Sequence, residues 1–306
     1  MNTVLCVGEA LIDVVHGVDG RVSEHVGGSP LNVAGGLAQL GHPTTLACWI
    51  APDDHGDLIR EWLADHVVAL APGSEGAPRT ATARAVLDLA GQASYEFDLE
   101  WDLPPVDVQG VTHVHTGSIA AVLAPGADKV LDVLRRAAEA GATISYDPNM
   151  RPALMGSPEA VRGRVEQIVA LSDVVKASDE DIAWLYPDEP LGQVLLRWAG
   201  MGAGLVVMTR GVEGAVFVHG DDIVPVPPRT VEVGDTVGAG DSFMAGLVSG
   251  LFDAGLLGAG RGHLAAAGDH AGIRAALARA VQASSLTVTR RGAYAPTRRD
   301  LGVPVS

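Results

Sequence analysis

The sequence predicts one α/β domain: a mostly parallel central sheet, helices over both faces, and a small β-sheet inserted near the N-terminus. Three observations carry this. From residue 111 onward, short apolar runs alternate with segments of helical periodicity, the rhythm of βαβ units. Before that point, the runs at 11–15, 21–26, 80–89 and 94–99 mix polar and apolar residues, as strands with one open face do. Finally, 306 residues with 47% hydrophobic content can bury a large core, which argues against disorder.

Taken in order, 3–7 is a short apolar strand ending at Gly8-Glu9. The β runs 11–15 and 21–26 follow, separated by Gly17 and Gly20. Gly27-Gly28-Ser29-Pro30 then announces a helix to Leu40, with Ser29 as N-cap and Pro30 as first helical residue. Residues 44–50 form a strand, and Asp53 or Asp54 caps a helix to His66. The runs 80–89 and 94–99 form a hairpin around Ala90-Gly91-Gln92. Strands are then expected at 111–115, 143–146, 174–176 and 205–209. Helices are expected at 127–140, 158–171, 178–185 and 191–199. A β excursion at 215–218 and 222–225 precedes a helix to about Ala254. A loop or short helix covers 256–270, a last helix 271–283, and a closing strand 286–289.

Charge and cysteine content narrow the function. The formal net charge is −16, so there is no basic surplus to displace counterions from nucleic acid or to meet an anionic membrane. No apolar run approaches the ~20 residues of a membrane span. The N-terminal run carries Glu9 and Asp13 and lacks a basic region, unlike a signal peptide. Cys6 and Cys48 lie in apolar runs and read as buried thiols, which fits a reducing, cytoplasmic setting. Lysine occurs only at Lys129 and Lys176.

The stretch 235–247, Asp-Thr-Val-Gly-Ala-Gly-Asp-Ser-Phe-Met-Ala-Gly-Leu, runs from a glycine-rich turn into a small-residue helix. Gly238 and Gly240 allow backbone N–H groups to converge, and the helix start adds the positive end of its dipole. Such a place suits a phosphate. The carboxylate of Asp241 at its edge suits phosphoryl transfer, where the attacking hydroxyl must lose a proton. The plainer reading makes Asp241 an N-cap. Ligands of open parallel sheets gather outside the carboxyl ends of the strands. There the sequence supplies Asp13, Thr116-Gly117-Ser118, Asp147-Pro148-Asn149-Met150-Arg151, Lys176, and Thr209-Arg210-Gly211 with Gly214. His113 and His115 share a strand face and read as structural, Trp62, Trp184 and Trp198 as helix-face or core residues, and Arg84 as exposed.

Together these segments resemble the PfkB (ribokinase-like) carbohydrate kinases. Residues 235–243 resemble that family's signature, and Gly27-Gly28-Ser29-Pro30-Leu31-Asn32-Val33-Ala34 its N-terminal one. Asp147-Pro148-Asn149-Met150-Arg151-Pro152 is similar to the segment of fructokinase-like members. Residues 207–215 resemble the nucleotide-side strand and turn, and 288–293 the C-terminal close. The resemblance spans nearly the whole chain in order. It implies a three-layer α/β/α sandwich over 1–306, with lid strands from about 11–26 and 80–99. It also implies ATP-dependent phosphorylation of a sugar hydroxyl, with fructose first and ribose, 2-keto-3-deoxygluconate or a nucleoside as alternatives. A non-catalytic sugar-binding protein on the same scaffold is the alternative of another class.

Carried over by the resemblance, Asp241 is the general base, and Gly238, Ala239 and Gly240 form the anion hole. Asp13, Gly27, Gly28 and Asn32 lie on the sugar side, and Arg151 at the sugar or phosphate side. Lys176, Ser178, Thr209, Arg210, Gly211 and Gly214 lie on the nucleotide side. Mg²⁺ would accompany ATP. The family's Asn-x-x-Glu is replaced by Ser178 and Asp181, so Asp181 would reach the metal through water. Asp235 has two readings, turn chemistry or a K⁺ site found in some members. Lid strands in this family can pair across a homodimer.

Overall fold

A computed structural model describes residues 2–16, 21–87, 93–268 and 270–304. In chain order the elements are β1 (Val4–Val7), β2 (Leu11–His16), β3 (Val22–Gly27), α1 (Ser29–Gln39), β4 (Thr44–Ala47), α2 (Asp54–Asp65) and β5 (Ala69–Leu70). Next come β6 (Thr82–Leu87), β7 (Ala93–Asp98), β8 (His113–Gly117), α3 (Gly126–Glu139), β9 (Thr143–Asp147), α4 (Pro152–Met155), α5 (Pro158–Leu171), β10 (Val174–Ser178), α6 (Asp179–Leu185) and α7 (Leu191–Gly200). The chain ends with β11 (Leu205–Thr209), β12 (Ala215–His219), β13 (Asp222–Val226), α8 (Ala239–Asp253) and α9 (Ala271–Thr287).

The large sheet has strand order β13-β12-β11-β10-β9-β8-β1-β4-β5. Its pairings are parallel from β11 to β5, and β12 runs antiparallel to β11 and β13. Successive side chains of a strand point to opposite faces, which makes two cores. Leu5, Val7, Val114 and Ile144 meet α3, α5, α6 and α7. Val4, Cys6, Leu46 and Val207 meet α1, α2, α8 and α9. The small sheet, order β3-β2-β6-β7, stands apart from it. The expected hairpin is present as the antiparallel β6–β7 pair, from Thr82↔Asp98 to Leu87↔Ala93. Its turn at Ala90-Gly91-Gln92 lies outside the described residues. Arg84 is exposed, as expected.

Helix α8 is buried from Asp241 to Phe252 and is packed between α1 and α9. Its small residues make this possible. A Cβ on Gly36 of α1 would lie 2.6 Å from that of Ala245, and one on Gly250 would lie 2.5 Å from Ala276 Cα. No described helix is long and apolar enough to cross a membrane.

Several expectations are corrected. The strand expected at 286–289 is instead the end of α9 and its cap. Leu-Thr-Val-Thr has β character, but packing on α8 overrides it, and Thr287 Oγ1 donates to Tyr294 O at 2.8 Å. The strand expected at 111–115 sits two residues later, because β1 sets its register, Val4↔His113. The strand expected at 44–50 ends at Ala47, after which Ser74 takes the backbone N–H of Cys48 and Ile50. Helix α4 is an addition that the sequence pattern does not announce. Ser29 is not the cap of α1, nor Asp241 that of α8. Gly28 (φ 118°) and Gly238 (φ 73°) hold those places, in backbone regions that L side chains avoid. This frees both side chains for each other.

Candidate active site

The parallel strands β1, β8, β9, β10 and β11 end on the same edge of the sheet, and the first turns of α1 and α8 meet there. Ser29 Oγ donates to Asp241 Oδ1 at 2.6 Å, and Asn32 Nδ2 donates to Asp241 Oδ2 at 2.8 Å. Hydrogen bonds to a carboxylate are the strong kind, worth about 1.5–3 kcal/mol each. The buried Asp241 is thus held from both sides by one helix. Asn32 Oδ1 is buried with no hydrogen-bond partner.

Lys176, on β10, approaches the same turn. A Cβ on Gly240 would lie 3.1 Å from its ammonium, so glycine is what lets a cation reach the backbone there. Lys176 Nζ lies 2.6 Å from Asp147 Oδ2 at the end of β9, and both side chains are buried. Burial by itself would lower the Lys176 ammonium. The Asp147 carboxylate in contact, with Asp181 and Asp241 beyond it, outweighs burial and holds it above the ordinary lysine value. It therefore stays charged. Gly238 is packed so that a Cβ would lie 2.7 Å from Ala293 Cα, which fixes the turn against the C-terminal segment. The Ala239 N–H donates to Thr236 O over 3.2 Å.

Asp13 lies on β2 of the small sheet, beside Gly27 at the end of β3. A Cβ on Gly27 would come within 2.3 Å of Asp13 Oδ2. Burial raises the Asp13 carboxyl, and the charges of His25 and Arg151 oppose this. At Gly28 a Cβ would meet Glu9 O at 2.4 Å, so α1 starts hard against the end of β1. Arg151 follows β9, with its guanidinium folded onto its own loop: it donates to Asn149 O, Asn149 Oδ1 and Met150 O.

The predicted nucleotide residues gather at the ends of β10 and β11. Ser178 pairs in register with Thr209 and caps α6 in a capping box with Asp181. The 3₁₀ turn Gly211–Glu213 leads to Gly214, where a Cβ would lie 2.4 Å from Val226 O. Arg210 Nη1 lies 3.7 Å from Glu213 Oε2. Both Asp181 oxygens accept backbone N–H groups, from Met150 at 2.7 Å and Ser178 at 2.9 Å. Asp235 accepts from Gly292 at 2.8 Å and Val237 at 3.1 Å, and these bonds hold its carboxyl below the usual range. Among the described residues, no three His, Cys, Asp or Glu side chains cluster to hold a metal. His113 and His115 hydrogen-bond to Thr143 and Ser145 inside the core, and burial lowers both imidazoles to about 3.

Sequence reasoning misses two carboxylates. Asp147 reads only as part of a strand-end segment, since its partner Lys176 lies on another strand. Glu9 reads only as an interruption. It is 4% exposed, accepts from Ala120 N at 3.2 Å, and burial pushes its carboxyl up to about 7. The signal is a glutamate inside an otherwise apolar run directly after Gly8. Because the folded value lies above the ordinary 4.5, the neutral form is favoured in the fold. Stability from this group is full below about 4.5 and is lost as pH rises to about 7. Glu9→Gln is expected to be nearly neutral at pH 4.5 and stabilising at pH 8, by at most roughly 3 kcal/mol in urea unfolding.

A family profile described as "pfkB family carbohydrate kinase" matches residues 1–300. A fructokinase of Rhizobium leguminosarum bv. trifolii is 36% identical over 262 residues, 81% of this chain and 79% of that protein. A Klebsiella pneumoniae fructokinase is 30% identical over 256 residues, 80% and 83% of the two chains. Among solved structures, a double-mutant fructokinase of Vibrio cholerae O395, bound to fructose, ADP and potassium ion, superposes with a TM-score of 0.81. It has 25% identity, over 99% of this chain and 97% of that one. The Xylella fastidiosa fructokinase with bound ATP gives 0.81 at 26% identity, over 99% and 95%.

Proposed function

Since the chain belongs to the pfkB family of carbohydrate kinases, we propose that it transfers the terminal phosphoryl group of ATP to a hydroxyl of fructose. The observation that carries this is the buried Asp241 carboxylate, bonded to Ser29 and Asn32 beside a glycine turn that Lys176 approaches. A base, an anion-binding turn and a cation meet at one point, which is what a loose phosphoryl transition state asks of a protein.

Asp241 takes the proton of the sugar hydroxyl as its oxygen bonds to phosphorus and the bond to ADP breaks. The N–H groups of Gly238, Ala239 and Gly240, with Lys176, carry the charge that spreads over the phosphoryl oxygens. Asp13 and Asn32 orient sugar hydroxyls, Gly27 and Gly28 let the sugar approach, and Arg151 adds positive charge beside Asp13. The sheet β3-β2-β6-β7 is the lid. Ser178, Thr209, Arg210, Gly211 and Gly214 line the nucleotide track. Mg²⁺ comes with ATP, held mainly by phosphates and water. Asp181, whose oxygens are both engaged by backbone, would meet it only through water. The ionised Asp235 is suited to a monovalent cation beside the anion hole. The buried free thiols Cys6 and Cys48 support a cytoplasmic location. The exposed edge strand β3 is suited to pairing with a second lid in a homodimer.

Fructose is preferred over ribose, 2-keto-3-deoxygluconate and nucleosides on the identity of the curated relatives. A coupled ADP-release assay over these acceptors tests it. The highest kcat/KM is expected for fructose, and a higher value for any other acceptor contradicts that choice. Gly27→Ala drives a methyl into the Asp13 carboxylate. It is expected to raise the sugar KM about tenfold and leave the ATP KM within twofold, measured by the same assay.

A further inference from the structure

Gly36 of α1 lies against Ala245 of α8, so the two helices approach closely. Polar ties join them at both ends. At the catalytic end, Ser29 and Asn32 hold Asp241. At the opposite end, Arg298 Nε donates to Leu40 O, just beyond α1, at 2.6 Å. The same guanidinium grips Asp253, the last residue of α8, through Nη1 at 2.9 Å and Nη2 at 2.7 Å. It also donates to Pro304 O at 3.0 Å, and it is 6% exposed. Around it, Arg279 of α9 bonds to Asp253 and Ser249, and His42 bonds to Ser249.

We infer that Arg298 is a positioning residue for phosphoryl transfer: by tying the far ends of α1 and α8 it sets their axial register, and so the placement of Asp241 against Ser29, Asn32 and the sugar. A guanidinium can do this because its rigid fork binds a carboxylate bidentately while Nε holds a carbonyl to one side. The lever is long, since an eleven-residue helix spans about 16 Å, but a helix transmits axial shifts with little loss. A misplacement of about 1 Å at a reacting centre can lower a rate a hundredfold. Lysine cannot reproduce the fork.

The inference rests on Asp241 being the base, so the test is a double-mutant cycle. Arg298→Ala, Arg298→Lys and Asp241→Asn are made singly, and Arg298→Ala is also combined with Asp241→Asn. All are assayed for ADP release at a temperature where urea titration shows each fully folded. Arg298→Ala is expected to lower kcat at least tenfold, with the ATP KM within twofold, since the nucleotide residues lie at the ends of β10 and β11 and in the turn after β11. Arg298→Lys should fall between it and the unmutated chain, and it carries the test where the alanine variant does not fold. In the Asp241→Asn background, Arg298→Ala should lower kcat by less than it does alone, because the base it places is gone and only the glycine turn at the start of α8 is still displaced. Unchanged kcat in folded Arg298 variants, or losses that simply add, would overturn the inference. An active Asp241→Asn enzyme would instead overturn the assignment of the base.

Discussion

Asp241→Asn is expected to lower kcat by about 10²- to 10⁴-fold and to leave the KM for ATP nearly unchanged. On the proposed role, the substitution removes the proton acceptor and little else. The introduced amide keeps an oxygen for the hydroxyl of Ser29. Its nitrogen would face Asn32 Nδ2, but Asn32 carries a buried Oδ1 with no partner. A flip of the Asn32 amide turns that oxygen toward the new donor and restores the bond. The fold should therefore survive, and steady-state kinetics with urea unfolding on one preparation separates lost chemistry from lost structure. Full activity in this variant would remove Asp241 from the role of base.

The second large effect concerns Asp147 and Lys176. Both are buried, and the ammonium stays charged chiefly because the carboxylate touches it. Asp147→Asn strands a buried cation and is expected to destabilise the fold by about 3–5 kcal/mol. Lys176→Met acts differently. Asp147, whose carboxyl burial already pushes up to about 7, can take a proton and go neutral. The stability loss should be smaller, while kcat should drop at least about a hundredfold with the cation removed from the proposed phosphoryl site. The double variant should be more stable than Asp147→Asn alone and no more active than Lys176→Met. Urea unfolding and ADP release on the three proteins check this. Equal stability losses for both single changes would mean that the pair is not coupled as described.

Much of this is legible in the chain. Strand–helix alternation after residue 111 reflects βαβ units whose two periodicities differ plainly, so α5 and β11 fall at the expected residues. The glycine-rich turn and its aspartate stand out because two glycines and a carboxylate lead straight into a small-residue helix. What stays hidden depends on contacts between distant segments. Ser29 and Asp241 each look like a helix cap, since capping is the local use of such residues. Only the crossing of α1 over α8, 212 residues apart along the chain, makes them partners. Asp147 and Lys176 sit on different strands, and Arg298 reaches back 258 residues to Leu40. The β-rich segment after Leu286 shows the converse, a local preference overruled by packing against α8.

Phosphoryl transfer from ATP to a sugar hydroxyl at Asp241 is tested most directly by ADP release from the unmutated protein with and without fructose, alongside phosphorus NMR of the products. Sugar-dependent release of ADP, matched one for one by a sugar phosphate ester, is the predicted result. ADP release that ignores the sugar, or no turnover with any sugar or nucleoside offered, would contradict it.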